Sequence, residues 1–319
     1  QGGYSPSQSG YKALATANLP EPTIKNGKKY FDTILYAGNG TGQKVGQFQP
    51  ITETYSVGNS ALFIAADTCE LTKTFGSAAS STQKGTLSVW LKPNDAGMGS
   101  SGGHIMNSDG TGGDFIKLDD GIIKIQMNNE GEGAWVSTDK ILDTTQWTNL
   151  VVAYETDNST ATDRIQIYIN GVNITDNGSF TATVTDSGFD IFQNGIDCNI
   201  GGVSGYASAS YIYDGYMAEY VWCDGQVLTP SSFGEVDSTT NRWIPKDVSG
   251  LTFGNNGFYL DFADKNDLGD DESGNTNDWT ESGFDTTNGS NQFHDTPTRN
   301  FSTLSPAFDQ GMTLTDGNT

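Results

Sequence analysis

Apolar and polar residues alternate with a period of two over much of this chain, most regularly between Trp147 and Gly171. There Thr148, Leu150, Val152 and Tyr154 share one face of an extended segment, and Trp147, Asn149, Val151 and Ala153 share the other. Further on, Ile165, Ile167 and Ile169 line one face while Arg164, Gln166 and Tyr168 line the opposite one. Successive side chains of a pleated strand point to opposite sides, so each run predicts a strand with one buried face. The connection over residues 156–162 holds no apolar residue larger than alanine, and Asn170-Gly171 closes the second run with a tight-turn dipeptide. The expectation is a long antiparallel hairpin.

The same pattern predicts further strands. Over Thr86–Lys92, Leu87, Val89 and Leu91 oppose Thr86, Ser88, Trp90 and Lys92. Two strands meet through Asp119-Asp120-Gly121, with Ile123, Ile125 and Met127 inward and Lys124 and Gln126 outward. Pro93 to Gly113 reads as a glycine-rich loop, and residues 172–184 as weaker strand material. Cys198–Val203 and Tyr211–Trp222 read as a closing hairpin that sets Cys198 opposite Cys223. Residues 216–222 are apolar in both parities, as at a bulge or in a strand buried on both sides. One more strand is expected in 251–262, and an opening pair in 31–63. Helical periodicity is confined to a turn near Ser231–Gly234. Residues 1–30 hold three of the nine prolines and read as an extended arm or linker. The β domain then spans 31–262, and 263–319 form an acidic extension rich in Gly, Asn and Asp, with one tight loop. The fold class is all-β, a two-sheet antiparallel sandwich.

Composition agrees. Hydrophobic content is only 34% with 40 glycines, a balance that many short strands and turns produce and a helical bundle does not. Sixteen Phe, 13 Tyr and 6 Trp suffice to fill a sandwich core. A formal charge of −23 without a Lys/Arg cluster argues against nucleic acid as a partner. No apolar run reaches the roughly 18 residues of a spanning helix, and no signal peptide is expected at the N-terminus. Three cysteines cannot all pair within one chain, and free buried thiols are favoured over a Cys198–Cys223 bridge. The six Asn-x-Ser/Thr sequons, at Asn39, Asn158, Asn173, Asn177, Asn288 and Asn300, follow from composition.

Three segments carry a family resemblance. The central hairpin, ending Tyr-Ile-Asn-Gly at 168–171, the strand Thr86–Pro93, and Tyr211–Phe233, with its Asp-Gly entry and Leu-Thr-Pro exit, resemble laminin-G-like modules of the concanavalin A-like jelly rolls. The resemblance covers roughly residues 50–235 and implies a jelly-roll sandwich. The flanks, residues 14–33 and 278–306, resemble connecting sequences of marine bacteriophage structural proteins. They imply a virion component, a tail, fibre or decoration protein, with a virion or extracellular location. Irregular ends that cannot form a core of their own suggest self-assembly or exchange of arms with other virion subunits.

Candidate chemistry narrows the function. Related glycosidases carry a Glu-x-Asp-x-x-Glu strand, and a retaining mechanism needs two carboxyls about 5 Å apart. The nearest approach here, Glu155-Thr-Asp157-Asn-Ser-Thr160, lacks the third carboxylate, so no enzyme is expected. His104 and His294 have no nucleophile motif beside them, and the cysteines lack zinc spacing. Exposed aromatics beside Asn, Asp and Gly loops would suit host glycans, and Trp135, Tyr206 and Tyr211 are the candidates, with core or interface packing as the alternative. Calcium takes six to eight oxygen ligands, and the run Asp264–Asp278 alternates Asp and Asn with glycine. Asp271, Asn275, Asn277 and Asp278 are the candidate ligands; a solvated linker with turn-capping Asp and Asn is the alternative. The expectation is a non-enzymatic phage structural protein contacting host glycans, with a free-standing bacterial lectin or adhesin as the other reading.

Overall fold

The computed structural model describes residues 23–25, 28–30, 55–94, 98, 102–108, 113–127, 135–140, 143–180, 184–203, 205–206, 208–238, 240–285 and 291–300. Residues 1–52 and 53–319 form separate compact units. In the first, β1 (Thr23–Lys25) pairs with β2 (Lys28–Tyr30) as an antiparallel hairpin. The Phe31–Tyr36 alternation lies outside the described residues.

The second unit is a sandwich. Its first sheet runs β12 (Val172–Asn173), β11 (Ile165–Ile169), β10 (Thr148–Glu155), β5 (Lys84–Pro93), β15 (Gly215–Asp224), β3 (Ser60–Phe63) and β20 (Gln292–Phe293). Beside β3, β18 (Phe258–Leu260) occupies the remaining edge of β15. The second sheet runs β13 (Gly178–Phe180), β9 (Trp135–Lys140), β8 (Ile122–Gln126), β7 (Phe115–Asp119), β6 (Gly103–Ser108), β14 (Asp197–Ile200), β4 (Glu70–Thr74) and β19 (Thr280–Ser282). A small ribbon pairs β16 (Gly234–Val236) with β17 (Trp243–Pro245). Among the described residues no helix is long and apolar enough to cross a membrane.

The central hairpin forms with Leu150 opposite Ile169 and Tyr154 opposite Ile165. Asn170 and Gly171 both have positive φ, 48° and 78°, the conformation a two-residue hairpin turn requires. Leu87, Val89 and Leu91 of β5, Leu150, Val152 and Tyr154 of β10, and Ile165 and Ile167 of β11 face the core. From the second sheet they meet Leu71, Ile116, Leu118, Ile123, Ile125 and Ile200. Alternation on both inner faces thus builds one continuous apolar layer.

The central strands of the first sheet, β5, β10 and β15, are buried on both faces, not one. Segment 225–262 lies over its outer side, where Phe233, Val248, Phe253 and Tyr259 pack on Val151, Val221 and Cys223. A second cluster joins Trp90, Trp147, Tyr216 and Ala218 there. The double parity of 216–222 has both expected causes. β15 is covered on each side, and its register against β5 shifts between Ala218 and Val221. Glu219 at this bulge has φ 48°, and the shift brings Met217, Tyr220 and Trp222 onto one face.

Several expectations need correction. Cys198–Val203 and Tyr211–Trp222 do not pair: β14 lies in the second sheet between β4 and β6, and β15 in the first. Cys198 therefore faces Lys73 and Ser108, Cys223 faces Thr86, and all three thiols are free and buried. The glycine-rich stretch contains the buried strand β6, whose inward Ile105 and Met106 were masked by flanking glycines. The strand expected over 251–262 is confined to Phe258–Leu260. Residues 263–300 are not only an extension. They supply β19 and β20, and Leu268 and Trp279 anchor in the main core.

Candidate functional site

Strand alternation that sends Leu71, Ile200, Ile116 and Ile125 inward sends Glu70, Thr72 and Thr74 of β4, Asp197 and Asn199 of β14, Asn107 of β6, Phe115 and Lys117 of β7, and Lys124 of β8 to the outer face of the second sheet. This face carries a depression of about 350 Å3, lined by Glu70, Thr72, Thr74, Asp197, Asn199 and Gly205 among others. Its floor is polar and pre-organised. Asn199 Nδ2 donates to Glu70 Oε2 at 2.8 Å, and Thr74 Oγ1 donates to Asp197 Oδ1 at 2.5 Å. Burial raises the Glu70 carboxyl above its usual range, while the Asn199 bond lowers it.

Tyr206, Tyr211 and Ile212 lie against one end of this face. The His104 backbone N–H donates to Tyr211 O at 3.1 Å, and His104 Nδ1 lies 3.2 Å from the same oxygen. A ladder of rings results: Tyr206 to Tyr211 at 5.6 Å, Tyr211 to His104 at 5.9 Å, His104 to Phe115 at 5.5 Å. Lys117 Nζ sits 5.2 Å above the Phe115 ring. Tyr206 ends the ladder at the surface, 46% exposed, next to Gly205 of the depression. His104, placed in a loop by the sequence reading, is buried in β6; burial and then the Lys117 charge push its pKa down to about 4. His294 is exposed, its Nδ1 3.2 Å from Gly58 O.

The three aromatic candidates therefore separate. Tyr206 and Tyr211 meet at the edge of the polar depression. Trp135 does not join them: it is 0% exposed, faces the core from β9, and donates its indole N–H to Thr175 O at 3.0 Å. Its Asn/Gly-rich neighbours made it look like a loop residue. Glu70, Asn199, Asp197 and Phe115 were missed by sequence reasoning. Their outward parity is readable in Glu70–Thr74 and Asp197–Ile200, but the adjacency of those two strands is not local.

Asp271, Asn275, Asn277 and Asp278 also come together, as a hydrogen-bonded turn. Asp271 Oδ1 accepts from the N–H groups of Tyr259 and Ser273 at 2.9 Å each; Oδ2 accepts from Ser273 Oγ at 2.9 Å and Asn277 N at 2.8 Å. Asp278 Oδ1 accepts from Asp271 N at 3.2 Å. Both amides donate outward, Asn275 to Gly254 O and Gly257 O, Asn277 to Asn255 O and Gly257 O. Four protein donors already occupy the Asp271 carboxylate, and no group of three His, Cys, Asp or Glu suited to a metal occurs among the described residues. The Asp271 carboxylate thus acts as a turn cap, as the alternative reading of this run expects. The glycosidase-like pair is likewise engaged: Glu155 and Asp157 hold Lys84 Nζ at 2.7 and 3.2 Å.

A sandwich of two antiparallel sheets with a polar, aromatic-edged outer face defines a lectin-like class of domain. The chain belongs to the concanavalin A-like lectin/glucanases superfamily, whose laminin-G-type model matches residues 66–232, just over half its length. No curated protein matches the sequence. Among solved structures, it is similar to a Bacteroides ovatus protein described as carbohydrate-binding, at 14% identity and TM-score 0.48, over 72% of this chain and 58% of that one. It is similar to the heptameric SAP-like pentraxin of Limulus polyphemus at 14% identity and TM-score 0.38, over 54% and 78%. Domains LG4-5 of the mouse laminin alpha1 chain match at 12% identity and TM-score 0.37, over 58% and 50%.

Proposed function

We propose that this domain is a non-enzymatic, glycan-contacting module of a phage virion surface, acting outside the cell and assembled with other virion subunits. The observation that carries the glycan reading is the depression on the second sheet. Its Glu70, Asn199, Asp197 and Thr74 offer fixed donors and acceptors to sugar hydroxyls, and exposed Tyr206 offers a flat apolar face at its rim. Engagement of Glu155 and Asp157 by Lys84 supports binding without hydrolysis. The phage reading rests on the flanking sequences alone.

A glycan array with the intact chain and with Tyr206→Ala tests the site. Specific binding lost in the variant supports it; no binding by either chain counts against it. Release of reducing ends from polysaccharides would replace the non-enzymatic reading, and labelling of native particles by an antibody to the chain tests the virion placement. This reading does not require calcium, because the Asp271 carboxylate is held by protein donors.

A further inference from the structure

Lys92 and Asp295 form the most deeply buried ion pair among the described residues, with side chains 1% and 2% exposed. Lys92 lies on the outer face of β5, opposite Tyr216 of β15, and its Nζ is 2.6 Å from Asp295 Oδ2. The same Nζ is 2.9 Å from the side-chain Oδ1 of Asn300. Each partner is held from behind. Trp147 Nε1 donates to Asp295 Oδ1 at 3.0 Å, Ser60 Oγ donates to Asp295 O at 2.7 Å, and Asn300 Nδ2 donates to Thr145 O at 2.9 Å. Trp147, Tyr216 and Phe293 wall the site, with ring centroids 6.3 and 5.4 Å apart in sequence.

An amine and a proton acceptor buried among aromatic rings, with a carboxamide held within hydrogen-bond distance at their solvent-exposed edge, are the reactants of an intramolecular transamidation. We propose that Lys92 and Asn300 become joined by an isopeptide bond, with Asp295 transferring the protons. Asp295 first takes a proton from the Lys92 ammonium, which frees the nitrogen lone pair. Nζ attacks Asn300 Cγ, forming the Nζ–Cγ bond as the carbonyl π pair moves onto Oδ1. Asp295 delivers its proton to Nδ2 and takes the second one from Nζ. The carbonyl re-forms, the Cγ–Nδ2 bond breaks, and ammonia departs. The product is a neutral amide beside a protonated Asp295, with atoms and charge balanced and no oxidant or co-reactant required.

Two features favour Asn300 over Asp295 as the electrophile. A carboxylate resists attack by an amine, whereas a carboxamide has ammonia as its leaving group. Lys92 also donates to Asn300 Oδ1 already, polarising that carbonyl. The reaction removes the cost of keeping an ammonium–carboxylate pair out of water. It also ties the middle of the first sheet to the segment after β20, so tension applied beyond residue 300 would bypass everything between.

The test is the intact mass of the unaltered chain, denatured after storage at neutral pH. A mass lower than the sequence mass by one ammonia is expected, together with a branched proteolytic peptide carrying both Lys92 and Asn300. A succinimide at Asn300 would lose the same ammonia without the branch, and that result would overturn the proposal. So would the full sequence mass, or a loss of water with Lys92 joined to Asp295. Lys92→Arg and Asp295→Asn should each restore the full mass. Because the deciding measurement uses the unaltered chain, poor folding of either variant leaves it intact.

Discussion

The Tyr259 hydroxyl lies 3.0 and 2.9 Å from the two carboxyl oxygens of Glu219, at the bulge of β15, and Tyr55 donates to the same carboxyl at 3.0 Å. Glu219 is only 5% exposed. Burial, the larger effect, outweighs the two tyrosine bonds and pushes its pKa from 4.5 up to about 7. Nearby Asp261 and Asp247 push in the same direction.

The sign of the pH dependence follows from that raised value. Folded protein holds a proton on Glu219 that unfolded protein has released, so the contribution is complete below pH 4.5 and lost as pH rises through about 7. The shift corresponds to something on the order of 3 kcal/mol. His104 acts oppositely: with its pKa lowered to about 4, its contribution is present above 6.5 and lost as pH falls through 4. Urea midpoints between pH 6 and 8.5 should therefore fall for the unaltered chain and stay flatter for Glu219→Gln. Parallel curves would contradict the assignment.

Core and surface aromatics should part company on substitution. Trp135→Ala removes a fully buried indole and its bond to Thr175 O, and should cost about 3–5 kcal/mol by chemical denaturation. Tyr206→Ala, at an exposed ring, should change stability by less than about 0.5 kcal/mol while abolishing glycan binding.

Asp271 should matter as a turn residue. Asp271→Ala orphans the backbone N–H groups of Tyr259, Ser273 and Asn277, and should destabilise by about 2–4 kcal/mol. Melting curves in calcium and in chelator should superimpose. A midpoint raised by calcium would restore the cation reading.

The hairpin turn offers a steric test. Gly171 has φ 78°, and a Cβ there would come within 2.5 Å of the Trp243 ring, whose Nε1 donates to Asn149 Oδ1 at 3.1 Å. Gly171→Ala should therefore cost about 1–3 kcal/mol, combining left-handed strain with displacement of Trp243. A thermal melt of the variant reads this directly.

What the sequence determined was local. Period-two alternation marked β5, β7, β8, β10 and β11 as strands and grouped the core-facing residues of β5, β8, β10 and β11, and Asn170-Gly171 and Asp120-Gly121 marked turns whose residues do adopt positive φ. The double parity of 216–222 signalled both the bulge and the covered outer face. Those features depend on neighbours within a few residues, where side-chain direction and backbone sterics leave their mark. Tertiary structure alone decided which strands distant in sequence lie side by side. Pairing β14 with β4 and β6 separated Cys198 from Cys223 and laid Asn199 beside Glu70. Trp135 looked like a loop aromatic until β13 paired with β9 over it, and the isolated Leu268 and Trp279 looked solvated until the core received them. Hydrogen bonding between strands is a backbone property that carries almost no side-chain signature, so partners distant in sequence are chosen by how the apolar faces close on one another.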